Sequence, residues 1–225
     1  TADGDFRSNL KSKYESVFLN YNNQLKSEYQ GKKKNELLGA FKSFQEEFLE
    51  EIEEGNFVQD KRFQDLLDEI LSELQSKNPE IPKDQRILIS KYANVNAYAM
   101  PDGTLVMNMG SFKFLENEDQ IASIIAHEIA HNVLGHVLKT QIKQIDDDIS
   151  GKYQTKVKAI KQKKYGQNTQ AFQLMQNLLY EESAIRRVQE KEADSLGFQY
   201  FSKSRYKDDE FVNAFKLLQR YDTIK

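Results

Sequence analysis

Ser123-Ile124-Ile125-Ala126-His127-Glu128-Ile129-Ala130-His131-Asn132-Val133-Leu134-Gly135-His136 contains every histidine of the chain. His127, Glu128 and His131 spell H-E-x-x-H. On a helix, residues four apart lie on one face, so the two imidazoles reach one metal ion. Glu128 sits one step round, close enough to hold a metal-bound water. Two nitrogens and a water leave one ligand missing from a tetrahedral zinc site.

The flanks are apolar: Ile121, Ile124, Ile125, Ile129, Val133, Leu134, Val137 and Leu138. They describe a buried helix rather than a solvated one that matches by chance. Asn117 as N-cap with Gln120 three residues on is a capping-box pattern, and Glu118 and Asp119 suit the positive end of the dipole. The expected helix runs from about Asn117 to about Thr140. His136 follows His131 by five residues, a turn of about 500°, roughly 140° past one full revolution. It points away from the His127/His131 face unless the helix breaks at Gly135, and it is read as structural. The metzincin pattern needs its third histidine six residues on; Val137 stands there.

A carboxylate from a second helix is the other way to complete the site. Glu190 and Asp194 are four apart, so they share one face. Glu190 can bind zinc while Asp194 accepts the free ring N–H of His127. Glu192 lies about 200° from Glu190 and is expected to face elsewhere. Ala193 and Gly197 are small enough to let the two helices approach closely.

Ahead of the metal helix, Arg86-Ile87-Leu88-Ile89-Ser90-Lys91-Tyr92, Val95–Ala99 and Thr104–Met109 are strand candidates. Met100-Pro101-Asp102-Gly103 suits a type I turn and makes the last two a hairpin. The expectation is a small antiparallel sheet. Residues 1 to about 78 follow helical spacing, with breaks at Gly31, Gly55 and Asn78-Pro79. Residues 141–168 are polar. Asp146 to Asp148 and the lysines from Lys156 to Lys164 are read as solvated, and the stretch as an insertion near the site that covers the cleft. Helices follow from about Thr169 to Lys203, with Phe172, Met175, Leu178 and Leu179 on one face, and from Asp208 to about Tyr221, with Phe211, Phe215 and Leu218.

The chain has 225 residues, of which 39% are hydrophobic and 30% charged, enough for one medium domain with a helical appendage. Its net charge of −3 points to neither nucleic acid nor a membrane surface. It has no cysteine, hence no disulfide and no thiolate metal site. No run of 18 apolar residues provides a spanning helix. No signal peptide is read, and the start at Thr1 without methionine suggests a processed or trimmed form.

Three blocks together resemble a known family. They are Val95-Asn96-Ala97-Tyr98-Ala99 with Pro101-Asp102-Gly103, then Glu118-Asp119 with the His127 motif and His136, then Glu190-Lys191-Glu192-Ala193-Asp194-Ser195-Leu196-Gly197. In this order they resemble the gluzincin metallopeptidases that include the CAAX prenyl protease, HtpX, Oma and the periplasmic protease BepA, over roughly residues 85 to 220. The resemblance implies a mainly α fold with a small antiparallel β-sheet (α+β) and a zincin-like core at 85–225, on which an N-terminal helical region, 1–84, packs. It implies one Zn2+ per chain held by His127, His131 and Glu190, Glu128 as general base, and Asp194 orienting a ligand histidine. The strand near Asn96 and Ala97 would receive substrate backbone.

The implied activity is that of a zinc metalloendopeptidase acting on peptides or proteins, without nucleic acid and without a spanning segment. Such members work in the bacterial periplasm or cell envelope, as processed exported proteins or lipoproteins. The alternatives are a zinc-binding, non-proteolytic envelope assembly or chaperone-like protein, and a helical protein without metal. In this family a histidine and an arginine beyond the E-x-E-A-D block stabilise the tetrahedral intermediate. Here the chain stops at Lys225. The expectation is that a C-terminal segment is omitted, so that the chain binds zinc but hydrolyses peptides poorly, unless Arg187, Arg205, Tyr206 or Arg220 substitutes.

Overall fold

The computed structural model describes residues 2–162 and 167–224; the side chains of residues 2, 153, 154, 157, 167–173, 177–180 and 222–224 fall outside the description. Three helices lead: α1 (Ala2–Glu28), α2 (Gly31–Glu54) and α3 (Lys61–Lys77). The strands follow as β1 (Arg86–Ser90), β2 (Ala97–Ala99) and β3 (Thr104–Asn108). Then come α4 (Met109–Phe114), α5 (Glu118–Leu134), α6 (His136–Ile149), α7 (Lys152–Lys161), α8 (Gln167–Ser202) and α9 (Asp208–Ile224). The mainly helical architecture with one small sheet agrees with the sequence.

The sheet is mixed rather than antiparallel. Its order is β1-β3-β2, with β3 parallel to β1 and antiparallel to β2. The reason is burial. All five residues of β3 are buried, whereas Ala97–Ala99 are only half-buried. The fully buried strand takes the centre and the short strand the edge, so the chain crosses from β1 to the far edge before the hairpin returns it. The hairpin itself is as expected: Gly103 N–H donates to Met100 O at 3.0 Å, and Met100 N–H to Thr104 O at 2.7 Å.

Both faces of the sheet are covered. On one, Val106 and Met100 pack with Leu10, Tyr14 and Phe18 of α1 and Phe48 and Ile52 of α2. Burial pushes the Tyr14 phenol up to about 12, and its O–H reaches Thr104 Oγ1 at 3.2 Å. On the other face, Leu105 and Met107 pack with Leu67, Ile70 and Leu74 of α3, and with α5, α8 and α9. Helix α5 is the centre of this second core, with Ile121, Ala122, Ile125, Ala126, Ile129 and Ala130 all buried. Each of the buried isoleucines there contributes about 1.5–3 kcal/mol.

The start of α5 follows its caps. Asn117 Oδ1 accepts from Gln120 N at 2.9 Å, and Gln120 Oε1 accepts from Glu116 N at 2.9 Å, one residue earlier than in a capping box. Its end differs from the expectation. The helix stops at Leu134, not near Thr140, because Gly135 takes φ +65. That left-handed conformation ends helices at glycine. Helix α6 then departs at 44°. Residues 141–149 are therefore helical, and Ile145 buries itself against Leu25, Leu37 and Phe41. Among the described residues no single helix is long and apolar enough to cross a membrane; α5 and α6 pass that test only as a bent pair. Of the apolar face expected early in α8, Met175 is half exposed, while Phe172, Leu178 and Leu179 lie outside the described side chains.

Candidate metal centre

Helix α8 lies directly on α5. Ala193 is fully buried, and a Cβ added at Gly197 would stand 2.9 Å from His127 Cα and 3.1 Å from His127 N. The small residues thus set the distance between the two helices, as the sequence implied. Gly197→Ala is expected to force the helices apart, costing about 1–3 kcal/mol and weakening metal binding by displacing Glu190 from the histidines. Chemical denaturation and a zinc titration check this; an unchanged midpoint and affinity would show that the helices separate freely.

Close approach brings three donors together. His127 Nε2 and His131 Nε2 are 3.1 Å apart. Glu190 offers Oε2 at 3.4 Å from His127 Nε2 and Oε1 at 3.7 Å from His131 Nε2. These three residues place one ligand atom each within 4.8 Å of one another. Donors about 2.0–2.1 Å from a tetrahedral zinc stand about 3.3 Å apart, so the triangle fits that ion. Two imidazoles and a carboxylate are also a donor set that zinc accepts.

The site's charges follow from this packing. The two histidines hold the Glu190 carboxyl far below the usual carboxylate range. His127 is buried, which opposes its charged form, but hydrogen bonding to Glu190 and the charges of Glu128 and Asp194 raise it overall. Asp194 Oδ1 lies 3.1 Å from His127 Nδ1, on the ring edge away from the metal position, though out of line for a full hydrogen bond. His136 is not turned away. The break at Gly135 brings its Nδ1 to 2.9 Å from His131 Nδ1. Glu192, expected to face elsewhere, meets His136 Nε2 at 3.1 Å.

Glu128 opens on a cleft lined by Val95, Asn96, Ala97, Ser111, Leu115 and Ile124, with His127 and Glu190 at its floor. Burial pushes the Glu128 carboxyl up, the two histidines oppose this and Glu190 adds to it, and the result is about 7. The Ala99 backbone N–H donates to the same carboxylate, and Asn132 Nδ2 donates to Gly103 O at 2.7 Å. The metal helix and the hairpin are thereby fastened together.

The edge strand presents alternate residues outward. Asn96 N–H donates to Ser111 Oγ at 3.1 Å, and Asn96 O accepts from Ser111 O–H and from Asn108 N–H, both at 2.9 Å. The backbone of Asn96 is thus engaged inside the fold. Ala97 and Ala99 turn the other way, toward the open edge.

The far wall of the cleft is α9, through Phe215, Leu218 and Tyr221. Tyr221 continues the spacing of Phe211, Phe215 and Leu218, a signal that the sequence carried beyond the residues singled out. Its Oη accepts from Val95 N–H at 3.4 Å. None of the four expected substitutes for the intermediate-stabilising group lines the cleft. Arg205 pairs with Glu69 and Glu118, and Tyr206 O–H donates to Glu118. No described residue of 141–168 lines it either.

Comparison with known proteins agrees with this geometry. A stretch of 50 residues is 34% identical to the beta-barrel assembly-enhancing protease of Yersinia pestis and 36% identical to that of Escherichia coli K12. It covers 22% of this chain and 10% of each relative, so the similarity spans a small part of those proteins. The model of peptidase family M48 matches residues 59–221, well over half of the chain, which therefore belongs to this family of zinc-dependent metallopeptidases.

Proposed function

We propose that the chain is a zinc-dependent endopeptidase. The observation that carries this is the triangle of His127, His131 and Glu190 at the floor of a cleft bordered by an open strand edge. His127, His131 and Glu190 would hold a zinc ion, which would supply Lewis acidity to a water and to the scissile carbonyl. Glu128 takes the proton of that water and hands it to the leaving amine. Asp194 orients His127.

An extended substrate adds as a strand beside β2, main chain to main chain at Ala97 and at the Ala99 carbonyl, the Ala99 N–H being held by Glu128. Glu128 stands on the Ala99 N–H, so a chain in that register passes directly beside the base. Phe215, Leu218, Leu115 and Ile124 form an apolar recess for one side chain of the substrate. Substrates are proteins or peptides. Similarity to the beta-barrel assembly-enhancing proteases supports a bacterial cell-envelope location and substrates connected with β-barrel assembly.

The test is hydrolysis of an unfolded protein such as casein, with metal content measured beside it. About one zinc per chain, and hydrolysis abolished by chelator and restored by zinc, is expected. Stoichiometric zinc with no hydrolysis of any unfolded substrate, also by a longer chain that carries the histidine and arginine expected beyond Lys225, would instead favour a non-proteolytic assembly factor.

A further inference from the structure

His136 is almost completely buried, at 3% exposure, yet it neither points at the metal position nor lines the cleft. Its place is made by Gly135, whose left-handed turn starts α6 and returns the imidazole to the flank of His131. Its own backbone is tied separately, since Gln189 Nε2 donates to His136 O at 3.4 Å. The side chain stands between His131 Nδ1 at 2.9 Å and Glu192 Oε2 at 3.1 Å.

The donor inventory fixes the protons. An ionised carboxylate only accepts, so the Nε2 of His136 must carry the hydrogen that Glu192 receives. A neutral imidazole has one donor and one acceptor, which makes His136 Nδ1 an acceptor. It faces His131 Nδ1, so that nitrogen must be the donor. The Nε2 of His131 is then left with its lone pair, and this is the atom that faces His127 Nε2 and Glu190. The reverse tautomer of His131 would set two lone pairs against each other at 2.9 Å and put a hydrogen where a metal must bind.

We propose that His136 and Glu192 are positioning residues that hold His131 in its metal-binding tautomer and ring orientation. On His127 the corresponding place is taken by Asp194, whose Oδ1 lies 3.1 Å from Nδ1. One stretch of α8 thus supplies a ligand, Glu190, and the carboxylates that orient both histidines, one directly and one through His136. Glu190 and Asp194 share one face of α8 and Glu192 stands on the other, yet all three serve one centre. This rests on the metal-binding reading of His127, His131 and Glu190.

The test measures zinc dissociation constants by chelator competition for wild type, Glu192→Ala, His136→Phe and the double variant. Orienting partners of ligand histidines are worth about 10–100-fold in affinity, and that loss is expected for His136→Phe. Glu192 is 55% exposed, so its removal spares the core; Glu192→Ala is expected to weaken binding about 3–10-fold. The double variant should bind no more weakly than His136→Phe alone, because Glu192 acts only through His136. His136→Asn, which keeps an acceptor for His131, should recover part of the loss. Nitrogen-15 shifts of the His131 ring in metal-free protein should report the Nδ1–H form in wild type and a mixture in Glu192→Ala and His136→Phe.

Unchanged zinc affinity in Glu192→Ala, fully additive losses, or a His131 tautomer indifferent to both substitutions would overturn the proposal. The tautomer measurement needs no metal and so decides it independently. A wild type that binds no zinc, with the tautomer still set by His136, would defeat the metal reading instead.

Discussion

Glu128→Gln is expected to keep the fold and about one zinc per chain and to lose peptidase activity by about 10²–10⁴-fold. Glu128 stands beside the metal triangle rather than in it, so its removal takes away the proton acceptor and leaves every ligand in place. Steady-state kinetics on one unfolded substrate, with metal analysis of the same sample, checks this. Activity within a few-fold of wild type would remove Glu128 from the mechanism.

The same variant has a signature in the metal-free protein. The Glu128 carboxyl is raised from 4.5 to about 7 in the fold, chiefly by burial. A folded state with the higher pKa binds more protons than the unfolded one between those values. Wild-type stability therefore falls as pH rises through that window, by at most about 3 kcal/mol. Glutamine carries no charge and lacks this slope. Metal-free Glu128→Gln should thus be more stable than metal-free wild type at pH 8, with the gap closing toward pH 4. Denaturation curves in chelator at the two pH values measure it; a gap independent of pH would mean that the carboxyl is not desolvated.

Glu190→Ala is expected to lose most of the zinc, with affinity reduced by at least about 100-fold, since even partners of ligands are worth 10–100-fold. His131→Ala should do the same. Zinc analysis after dialysis against a weak chelator, with circular dichroism to confirm the fold, is the measurement. The Glu190 side chain is mostly exposed, so its loss should not disturb the core. Full zinc in Glu190→Ala together with none in His136→Ala would exchange the two assignments and place His136 in the metal triangle.

How much was legible depended on how local the cause was. The capped start of α5 followed from Asn117 and Gln120 because a helix end satisfies its own amides within one turn. The His127/His131 pair followed from helical pitch. The spacing of Glu190 and Asp194 placed both on one helix face, and Ala193 and Gly197 announced a close crossing. The break at Gly135 was visible as a possibility only. Whether a glycine late in a helix ends it depends on what the following residues can bury, and here Ile145 finds Leu25, Leu37 and Phe41.

By itself the sequence determined the elements that carry the site: one buried helix with two histidines on a face, a second helix with paired acids, and a hairpin before them. Only the tertiary structure decided what surrounds them. The strand order turned on β3 being covered on both faces, a property of neighbours far apart in the chain. Asn96 lost its backbone to Ser111 and Asn108, leaving Ala97 and Ala99 at the open edge, because pairing partners fix which residues of a strand face outward. Glu192 reached His136 although it lies on the opposite side of α8 from Glu190. Helical pitch fixes angles about one axis, whereas the bend between α5 and α6 carried His136 round to meet it, and no local rule contains that second axis.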